Sequence, residues 1–401
     1  MITQLDLHTF KCFKELHLPL APLTLLSGGN ASGKSTVLQS LVLLHQTMRE
    51  HEYATELHLN GNALSLGSVQ DVVDSVNSRT SMKISIEYDN ISLFSWHFSG
   101  NREDLTMRIA EFYYNNKYIR GPIYRGLFPS TSRINEPHIQ INELQTQRKV
   151  IINSVNSLEK ILLNLTYISA ERVGPREIYP LVVPKFKPSV GPTGEYTASV
   201  LYQLKDHTVN EKLLIGTANN VLRQVEQRMQ QFFPDSSISI DRVANFNYVT
   251  LGLRTSPETD YHRPNNVGFG LTQVLPIIVA TLTAKKGDLL LIENPEVHLH
   301  PAGQALMGRY LAEVASSGVQ IILETHSDHI LNGMRRAVKS GTISPTDVKL
   351  YFFNSRYHAE KHGISQVISP AIDKHGNLDA WPAGFFDQFD KDTNYFAGWG
   401  E

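Results

Sequence analysis

The residues with the clearest chemistry form a glycine-rich run that ends in a lysine and a serine. Residues 28–35 read Gly-Gly-Asn-Ala-Ser-Gly-Lys-Ser, which fits the phosphate-loop pattern G-x-x-x-x-G-K-S/T. Glycine is needed because a Cβ would keep backbone N–H groups away from phosphate oxygens. We expect Lys34 to reach the β- and γ-phosphates of ATP and the Ser35 hydroxyl to ligate Mg²⁺. The residues predicted to hold the phosphates are Gly28, Asn30, Ala31, Ser32, Gly33, Lys34, Ser35 and Thr36.

Two flanking elements must position this loop. Residues 23–26 are a short aliphatic run typical of a buried strand, and residues 36–50 carry apolar side chains at helical spacing. A strand, a glycine loop and a helix together place the helix N-terminus against the phosphates. This setting argues against a chance match in a glycine-rich turn.

A second aliphatic segment, residues 288–293, ends in the carboxylate of Glu293. Such a run is typical of a central parallel strand, whose carboxyl end is where ligands bind. Glu293 is therefore the predicted acidic ligand of Mg²⁺, in place of the more usual Asp. Residues 319–323 form another aliphatic strand, and His326 soon after it is either a sensor of the γ-phosphate or an ordinary loop histidine.

Composition excludes several classes of protein. The chain has 401 residues, enough for one large or two ordinary domains, and 41% of them are hydrophobic, as in a globular protein in water. A net charge of −2 gives no overall attraction to nucleic acid or to an anionic membrane. The single cysteine, Cys12, excludes an internal disulfide and suits a reducing compartment. No signal peptide or apolar span of about 20 residues is evident, so we expect no membrane partner and a cytoplasmic location.

The motifs and their order resemble a known superfamily. With residues 10–13, they are similar to the ATP-binding-cassette heads of AAA-family ATPases of the RecF, structural-maintenance and overcoming-lysogenisation-defect type. Residues 292–301, Ile-Glu-Asn-Pro-Glu-Val-His-Leu-His-Pro, are especially similar to a short bacterial branch linked to anti-phage defence, and the segments 168–176, 194–196 and 381–388 also resemble it. The resemblance implies an α/β ATPase head without an added topoisomerase-primase nuclease domain.

The resemblance also implies a domain plan. Residues 1–74 and 266–401 are expected to form the split head, and residues 75–265 an inserted α+β lobe. Residues 237–240 and 248–253 are predicted to be strands that return to the sheet of the head. Within the lobe, alternation predicts a hairpin at residues 82–98 and more strand at 105–118. An apolar stripe at residues 151–165 predicts a helix that packs on the head, too short for a long coiled coil.

Heads of this kind dimerise head to tail around two ATP molecules. The glycine-containing segment at residues 265–273 precedes the acidic strand, and its glycines are expected to open a helix. By resemblance, Gly268, Gly270 and Thr272 would touch the γ-phosphate held by the partner copy, although their sequence departs from the transporter signature Leu-Ser-Gly-Gly-Gln. Gln70 is the candidate for a glutamine that links Mg²⁺ to the inserted lobe.

Position 294 also departs from the pattern of this superfamily. The residue after the magnesium carboxylate is normally Glu, the general base, and here it is Asn294. A carboxamide cannot accept a proton at neutral pH, although it can orient a water. General-base assistance is worth about 10²–10⁴ in rate. We therefore expect slow turnover, unless Glu296, two residues further on, takes the role of base.

Several other polar residues can be interpreted either as functional or as ordinary surface residues. The proline-rich segment at residues 175–192 is either a solvated connection or a contact for nucleic acid or a partner, with Arg172 and Arg176 as candidates. His298 and His300 are interpreted as interface residues rather than metal ligands, because no third ligand is evident. A solvated acidic face is favoured over nuclease carboxylates for three residues near the end of the chain, Asp387, Asp390 and Asp392.

The leading hypothesis is an ATP-dependent switch in anti-phage defence. ATP would close a homodimer or larger oligomer and control a separately encoded effector, for which a nuclease is the expected class. One alternative is a RecF-like ATPase of DNA repair or DNA-end sensing, which predicts salt-sensitive DNA binding. Another is the nucleotide-binding subunit of a transporter, which the altered signature and Asn294 disfavour. The defence role rests on resemblance, because fold does not dictate function.

Overall fold

The structure is a computed structural model that describes residues 1–74, 76, 80–119, 124–125, 127–129 and 141–399. The strands, in chain order, are β1 (Ile2–Phe10), β2 (Phe13–Pro19), β3 (Leu23–Gly28), β4 (Glu56–His58), β5 (Ser81–Tyr88), β6 (Ser92–Ser99), β7 (Thr106–Tyr114), β8 (Lys117–Tyr118), β9 (Tyr124–Arg125), β10 (Phe128–Pro129), β11 (Thr166–Ile168), β12 (Tyr179–Pro180), β13 (Ser237–Arg242), β14 (Tyr248–Arg254), β15 (Leu289–Glu293), β16 (Gln320–Glu324), β17 (Val348–Phe353) and β18 (Val367–Ile368). The α-helices are α1 (Lys34–Glu50), α2 (Val69–Val72), α3 (Ile141–Asn164), α4 (Thr197–Leu204), α5 (Val221–Phe232), α6 (Phe269–Thr283), α7 (Pro301–Ser316), α8 (Asp328–Lys339), α9 (Arg356–His362) and α10 (Gln388–Phe396).

The chain divides into two compact units. The first comprises Met1–Ala21, Asn30–Leu165 and Asn354–Gln366, and the second comprises Pro22–Gly29, Thr166–Phe353 and Val367–Glu401. None of the described helices is both long enough and apolar enough to cross a membrane.

The first unit contains a large antiparallel sheet. Its strands lie in the order β2-β1-β5-β6-β7-β4, and β8 pairs with β7. The predicted hairpin at residues 82–98 is confirmed as β5 and β6, and it turns at Asp89 and Asn90 with left-handed φ of 52° and 56°. One sheet face is apolar and aromatic, since Phe94, Trp96 and Phe112 are buried and their rings pack against one another.

Helices α1 and α3 also belong to the first unit. The predicted apolar stripe lies on α3, where Val155, Leu158 and Leu162 are buried. At the contact with α1, His45 Nδ1 lies 2.6 Å from the carbonyl oxygen of Leu162. Burial lowers the pKa of His45 to about 4, so its ring is neutral at physiological pH. The prediction that this stripe packs rather than extends as a coiled coil agrees with these contacts.

A mostly parallel sheet forms the centre of the second unit. Its strands lie in the order β11-β15-β16-β3-β17-β18, and only the β17–β18 pairing is antiparallel among the described pairs. Strand β3 is almost fully buried, as expected for a parallel strand covered on both faces. Because the strands are parallel, Gly28, Glu293 and Glu324 end at the same edge of the sheet. The predicted α/β fold class is confirmed.

The strands predicted at residues 237–240 and 248–253 exist, but their partners differ from the prediction. They form β13 and β14, which pair with β12 in a separate sheet of order β12-β14-β13. Both edges of β14 are thus occupied, so these strands do not join the sheet of the phosphate loop. Strand β12 also places part of the segment expected to be a loop, residues 175–192, in a sheet.

The domain boundaries expected from the sequence differ from the boundaries of the two compact units. Pairing of β1 with β5 joins the N-terminal hairpin to strands beyond residue 75. The second unit likewise takes residues from both sides of position 265. The division into a head at 1–74 and 266–401 and a lobe at 75–265 stays a prediction.

The tail segment at residues 381–388 is anchored by an aromatic side chain. Phe385 is 0% exposed, and its ring meets that of Phe352 edge-on at 5.6 Å between centroids. Next to it, the guanidinium of Arg335 lies 5.3 Å from the centre of the Trp381 ring. In α10, which follows, Phe389 is 74% exposed.

We expect Phe385→Ala to lower the free energy of unfolding by about 3–5 kcal/mol, because it empties a buried aromatic site. The matched control is Phe389→Ala, whose effect should stay within about 0.5 kcal/mol because that ring is in solvent. Urea unfolding of both variants measures the difference. Equal small losses would show that the tail is not anchored through Phe385.

Candidate functional site

The phosphate loop starts at Gly28, the last residue of β3, and ends at Ser35, the second residue of α1. Gly28 has φ of 143°, and a Cβ there would collide with the backbone of Phe353 on β17. Gly33, the N-cap of α1, has φ of 109°. A Cβ on Gly33 would lie 2.5 Å from Cζ of Phe13 and 2.6 Å from Sγ of Cys12. Both glycines are therefore required by backbone conformation and by space.

The residues that follow the loop glycines are mostly buried. Lys34 is 3% exposed and Thr36 is 7% exposed, whereas Asn30 and Ala31 are exposed. Thr36 Oγ1 lies 4.0 Å from Cys12 Sγ, and burial raises the pKa of that thiol. The first turn of α1 is thus held against the segment before β2, as a rigid cradle requires.

The carboxylate of Glu293 is oriented by two hydrogen bonds at the sheet edge. The Tyr167 hydroxyl donates to Oε1 at 3.0 Å, and the backbone N–H of Ala170 donates to Oε2 at 3.1 Å. Burial, and then Glu293 itself, raise the pKa of Tyr167, so its hydroxyl keeps its proton and donates. Each carboxylate oxygen retains a lone pair that a metal ion would accept. Sequence reasoning missed Tyr167, which looks like any strand aromatic.

Arg172 clamps the turn after the acidic strand. It is 7% exposed, and Nη2 donates to the carbonyl oxygens of Glu293 at 2.5 Å and Asn294 at 2.7 Å. Burial lowers its pKa to about 10, which leaves the guanidinium charged at neutral pH. Of the two candidates for a contact with nucleic acid or a partner, Arg172 is buried, and its Nη2 donates to backbone carbonyls instead. Arg176, the other candidate, is exposed.

Asn294 occupies a left-handed backbone position. Its φ is 43°, and its N–H donates to the carbonyl oxygen of Glu324 on the next strand at 2.8 Å. Asn tolerates this conformation better than most residues with a side chain. Asn is therefore compatible with the backbone conformation at this position.

Glu296 joins the ends of the two central strands. The backbone N–H of His326 donates to Glu296 Oε1 at 2.9 Å, whereas the His326 side chain is exposed. This bond places the predicted sensor beside the predicted alternative base.

Four buried polar atoms at this edge have no hydrogen-bond partner in the part of the chain that the structure describes. They are Asn294 Oδ1, Glu296 Oε2, Arg172 Nε and Arg172 Nη1. Buried polar atoms are normally paired, so such a cluster indicates a place for polar ligand atoms or water. Together with the strained glycine at the end of β3, it fits a bound nucleotide, and Glu293 fits Mg²⁺, which prefers carboxylate oxygen.

The predicted signature residues have different surroundings. Gly268 is the exposed N-cap of α6, and a Cβ there would meet no atom within 4 Å. Gly270 is closely packed, since a Cβ there would lie 3.0 Å from the carbonyl oxygen of His298. Thr272 is 6% exposed, and its hydroxyl donates to the Phe269 carbonyl at 2.9 Å. Of the three, Gly268 is the residue open to a partner copy.

Among the remaining candidates, Gln70 and His298 are exposed and His300 caps a helix. Gln70 is exposed on the short helix α2, and its backbone N–H donates to the carbonyl of Arg102. His300 is the N-cap of α7 and accepts from the N–H of Ala302 at 3.4 Å. His298 is exposed, and its ring lies 5.5 Å from that of Phe269.

Two of the three acidic residues near the end of the chain are bonded within α10 and its cap. Asp387 pairs with Lys391 at 2.8 Å, and Asp392 accepts from Gln388 at 2.7 Å. The side chain of Asp390 lies outside the described residues. No group of three metal-ligating side chains is found among the residues that were described. These contacts agree with the expected acidic face.

Two family models match the chain. The model described as AAA ATPase domain matches residues 1–172 and 134–331. A model described as a protein of unknown function, DUF3696, matches residues 343–395 and so includes the anchored tail. The ATPase resemblance inferred from the motifs is confirmed by the first match.

Two individual proteins match most of this chain at low sequence identity. The OLD nuclease of Thermus scotoductus is 24% identical over 343 residues, covering 82% of this chain and 59% of that protein. The Old nuclease of Escherichia phage P2 is 21% identical over 362 residues, covering 84% and 58%. The chain thus spans less than three fifths of the length of these relatives.

Solved structures with similar folds include heads of SMC proteins. An Smc head bound to the C-winged helix domain of ScpA covers 93% of this chain and 98% of its own, with 14% identity and a TM-score of 0.49. A head with an extended coiled coil bound to the C-terminal domain of ScpA from Pyrococcus furiosus covers 99% and 98%, with 12% identity and a TM-score of 0.46. TM-scores below 0.5 decide nothing about the function of this chain.

We expect Gly33→Ala to abolish binding of a fluorescent ATP analogue, because Ala is strained at this φ by about 1–2 kcal/mol and overlaps Phe13. Gly29→Ala is the matched control, since a Cβ on Gly29 would meet no atom within 4 Å. Titration of both variants with the analogue gives the affinities. Unchanged affinity in Gly33→Ala would contradict the role of this loop.

Proposed function

We propose, from the premise that this chain belongs to the AAA ATPase domain family and is an ATPase, that it is an ATP-operated switch in bacterial anti-phage defence. The ATP-operated part of the proposal is supported by the sheet edge where Gly28, Glu293 and Glu324 end together, and the defence role rests on the resemblance described above. The loop binds the nucleotide phosphates, and Tyr167 and Arg172 hold the acidic strand end in place. The individual residue roles are part of the proposal.

Magnesium binding is assigned to a small set of residues. The Ser35 hydroxyl and the Glu293 carboxylate would hold Mg²⁺, with Gln70 as a further candidate. When bound, Mg²⁺ neutralises charge on the phosphate oxygens. The fixed orientation of Glu293 supports its part, because its two hydrogen bonds leave lone pairs directed elsewhere.

Slow turnover is the property that makes the protein a switch. Asn294 stands where related ATPases have a general base, and an amide does not accept a proton at neutral pH. The ATP-bound state would therefore persist long enough to hold an assembly. Gly268, exposed at the N-terminus of α6, would contact the nucleotide of a second copy, with Gly270 and Thr272 beside it.

A nuclease is the proposed effector. The two relatives named above are nucleases, and one of them comes from a bacteriophage. We propose that a separately encoded nuclease binds the ATP-closed homodimer or oligomer, and that the complex works in the cytoplasm. The RecF-like alternative lacks one of its expected basic contacts, because Arg172 is buried.

Co-purification with the products of neighbouring genes, in ATP, tests the switch. We expect a nuclease or other toxic enzyme to stay bound to the wild type and to be lost from Lys34→Ala, which cannot hold the phosphates. Lys14→Ala, on an exposed lysine, is the control and should retain the enzyme. If no protein is retained by any of the three, and DNA binds instead, the RecF-like alternative replaces the proposal.

Replacement of Asn294 tests slow turnover. We expect Asn294→Glu to raise the single-turnover rate of ATP hydrolysis by about 10-fold or more, part of the range of general-base effects. The gain should be partial because Glu is less tolerant than Asn of a left-handed backbone. Asn294→Gln, which matches Glu in size but adds no carboxylate, is the control. A rate no higher than that of Asn294→Gln would contradict the proposal.

A further inference from the structure

We propose that Glu296 is the general base for ATP hydrolysis in this chain and that Arg172 is the residue that positions it. The inference rests on the ATPase activity and deepens the switch proposed above: a base displaced by two residues from the usual position would give slow turnover rather than none. All of the residues concerned belong to the second unit.

Glu296 has one anchored oxygen and one open oxygen. The N–H of His326 donates to Oε1 at 2.9 Å, which anchors this oxygen. Oε2 is buried and has no partner among the described residues. A base needs this combination, since a fixed carboxylate with an open acceptor can take a proton from a positioned water.

Arg172 holds the turn that carries Glu296. Its Nη2 bridges the carbonyl oxygens of Glu293 and Asn294, so it fixes the path of the chain from the acidic strand toward Glu296. Two further donors, Nε and Nη1, are buried without partners in the described structure. Burial lowers the pKa of this guanidinium, and the opposite charge of Glu296 counters part of that lowering.

Asn294 supplies a second acceptor but no base. Its Oδ1 is buried and has no partner among the described residues. A water has two protons, so it can donate one to an amide oxygen and one to a carboxylate oxygen. With Asn294 Oδ1 as the orienting acceptor, Glu296 Oε2 is left as the group that removes the proton.

The proposed step is balanced in atoms and charge. The water oxygen forms a bond to the γ-phosphorus of ATP while the bond from that phosphorus to the β–γ bridging oxygen breaks. One water proton passes to Glu296 Oε2, and ADP and inorganic phosphate are the products. The proton then leaves Glu296 for phosphate or solvent, which restores the carboxylate.

Glu296→Gln separates this role from a structural one. The amide keeps an oxygen that accepts from His326, but it cannot take a proton. We expect the single-turnover rate to fall by about 10²-fold or more. The dissociation constant for a fluorescent ATP analogue and the melting temperature without nucleotide should both match the wild type. A wild-type rate overturns the proposal, and so does a loss of analogue binding equal to the loss of rate.

Chemical rescue gives a second readout. In Glu296→Ala the side chain is removed, and added sodium formate should restore part of the rate because it supplies a small carboxylate. Glu293→Ala, which loses the proposed magnesium ligand, should not respond to formate. Absence of rescue in Glu296→Ala, with ATP-analogue binding intact, would count against Glu296 as the base.

Arg172 is tested as a positioning residue. Arg172→Met should lower kcat and leave KM nearly unchanged, and Arg172→Lys, which keeps a charge and a donor, should recover part of kcat. A parallel fall in melting temperature and analogue affinity without a selective fall in kcat would assign Arg172 to folding alone. Effector retention by Glu296→Gln is scored separately. If Glu296→Gln retains the effector but hydrolyses ATP at the wild-type rate, this inference is wrong and the proposed switch stands. If Glu296→Gln hydrolyses ATP slowly but neither it nor the wild type retains an effector, the proposed switch is wrong and this inference stands.

Discussion

The structure depends first on the parallel pairing of β3, β16 and β15. Parallel register forces the carboxyl ends of these strands to one edge, so a glycine and two carboxylates that are distant in sequence become neighbours in the sheet. Almost all of each strand is buried, and the aliphatic residues between them keep the register. A polar site can stand at this edge because the apolar centre of the sheet holds it rigid.

Charge buried at that edge must be paired, and the pairing gives the site its shape. Arg172 meets two carbonyl oxygens, and Glu293 meets a hydroxyl and an N–H. Buried groups that lack such partners cost free energy, so the unpartnered atoms of Arg172 and Glu296 mark where ligand atoms belong. The left-handed backbone at Asn294 is held by the same contacts. The turn after β15 therefore contains both the groups that hold its backbone and the groups proposed to react.

Local patterns predicted the phosphate loop, the acidic strand and the hairpin at residues 82–98, because each is encoded within a few consecutive residues. The partners of β13 and β14 were assigned wrongly, since alternation identifies a strand but not the strand beside it. Arg172 was left as one of two candidates for a contact with nucleic acid or a partner, because its backbone acceptors lie more than a hundred residues away along the chain. Tyr167 carried no motif, and only the pairing of β11 with β15 brings it to Glu293.

Sedimentation velocity of the purified wild-type chain tests the central claim, that ATP controls assembly. The same sample is measured without nucleotide, with ADP and Mg²⁺, and with ATP and Mg²⁺. We expect a dimer or larger species with ATP and a smaller species under the other two conditions. The same species under all three conditions would contradict the account, because a switch requires ATP to favour one state over the other.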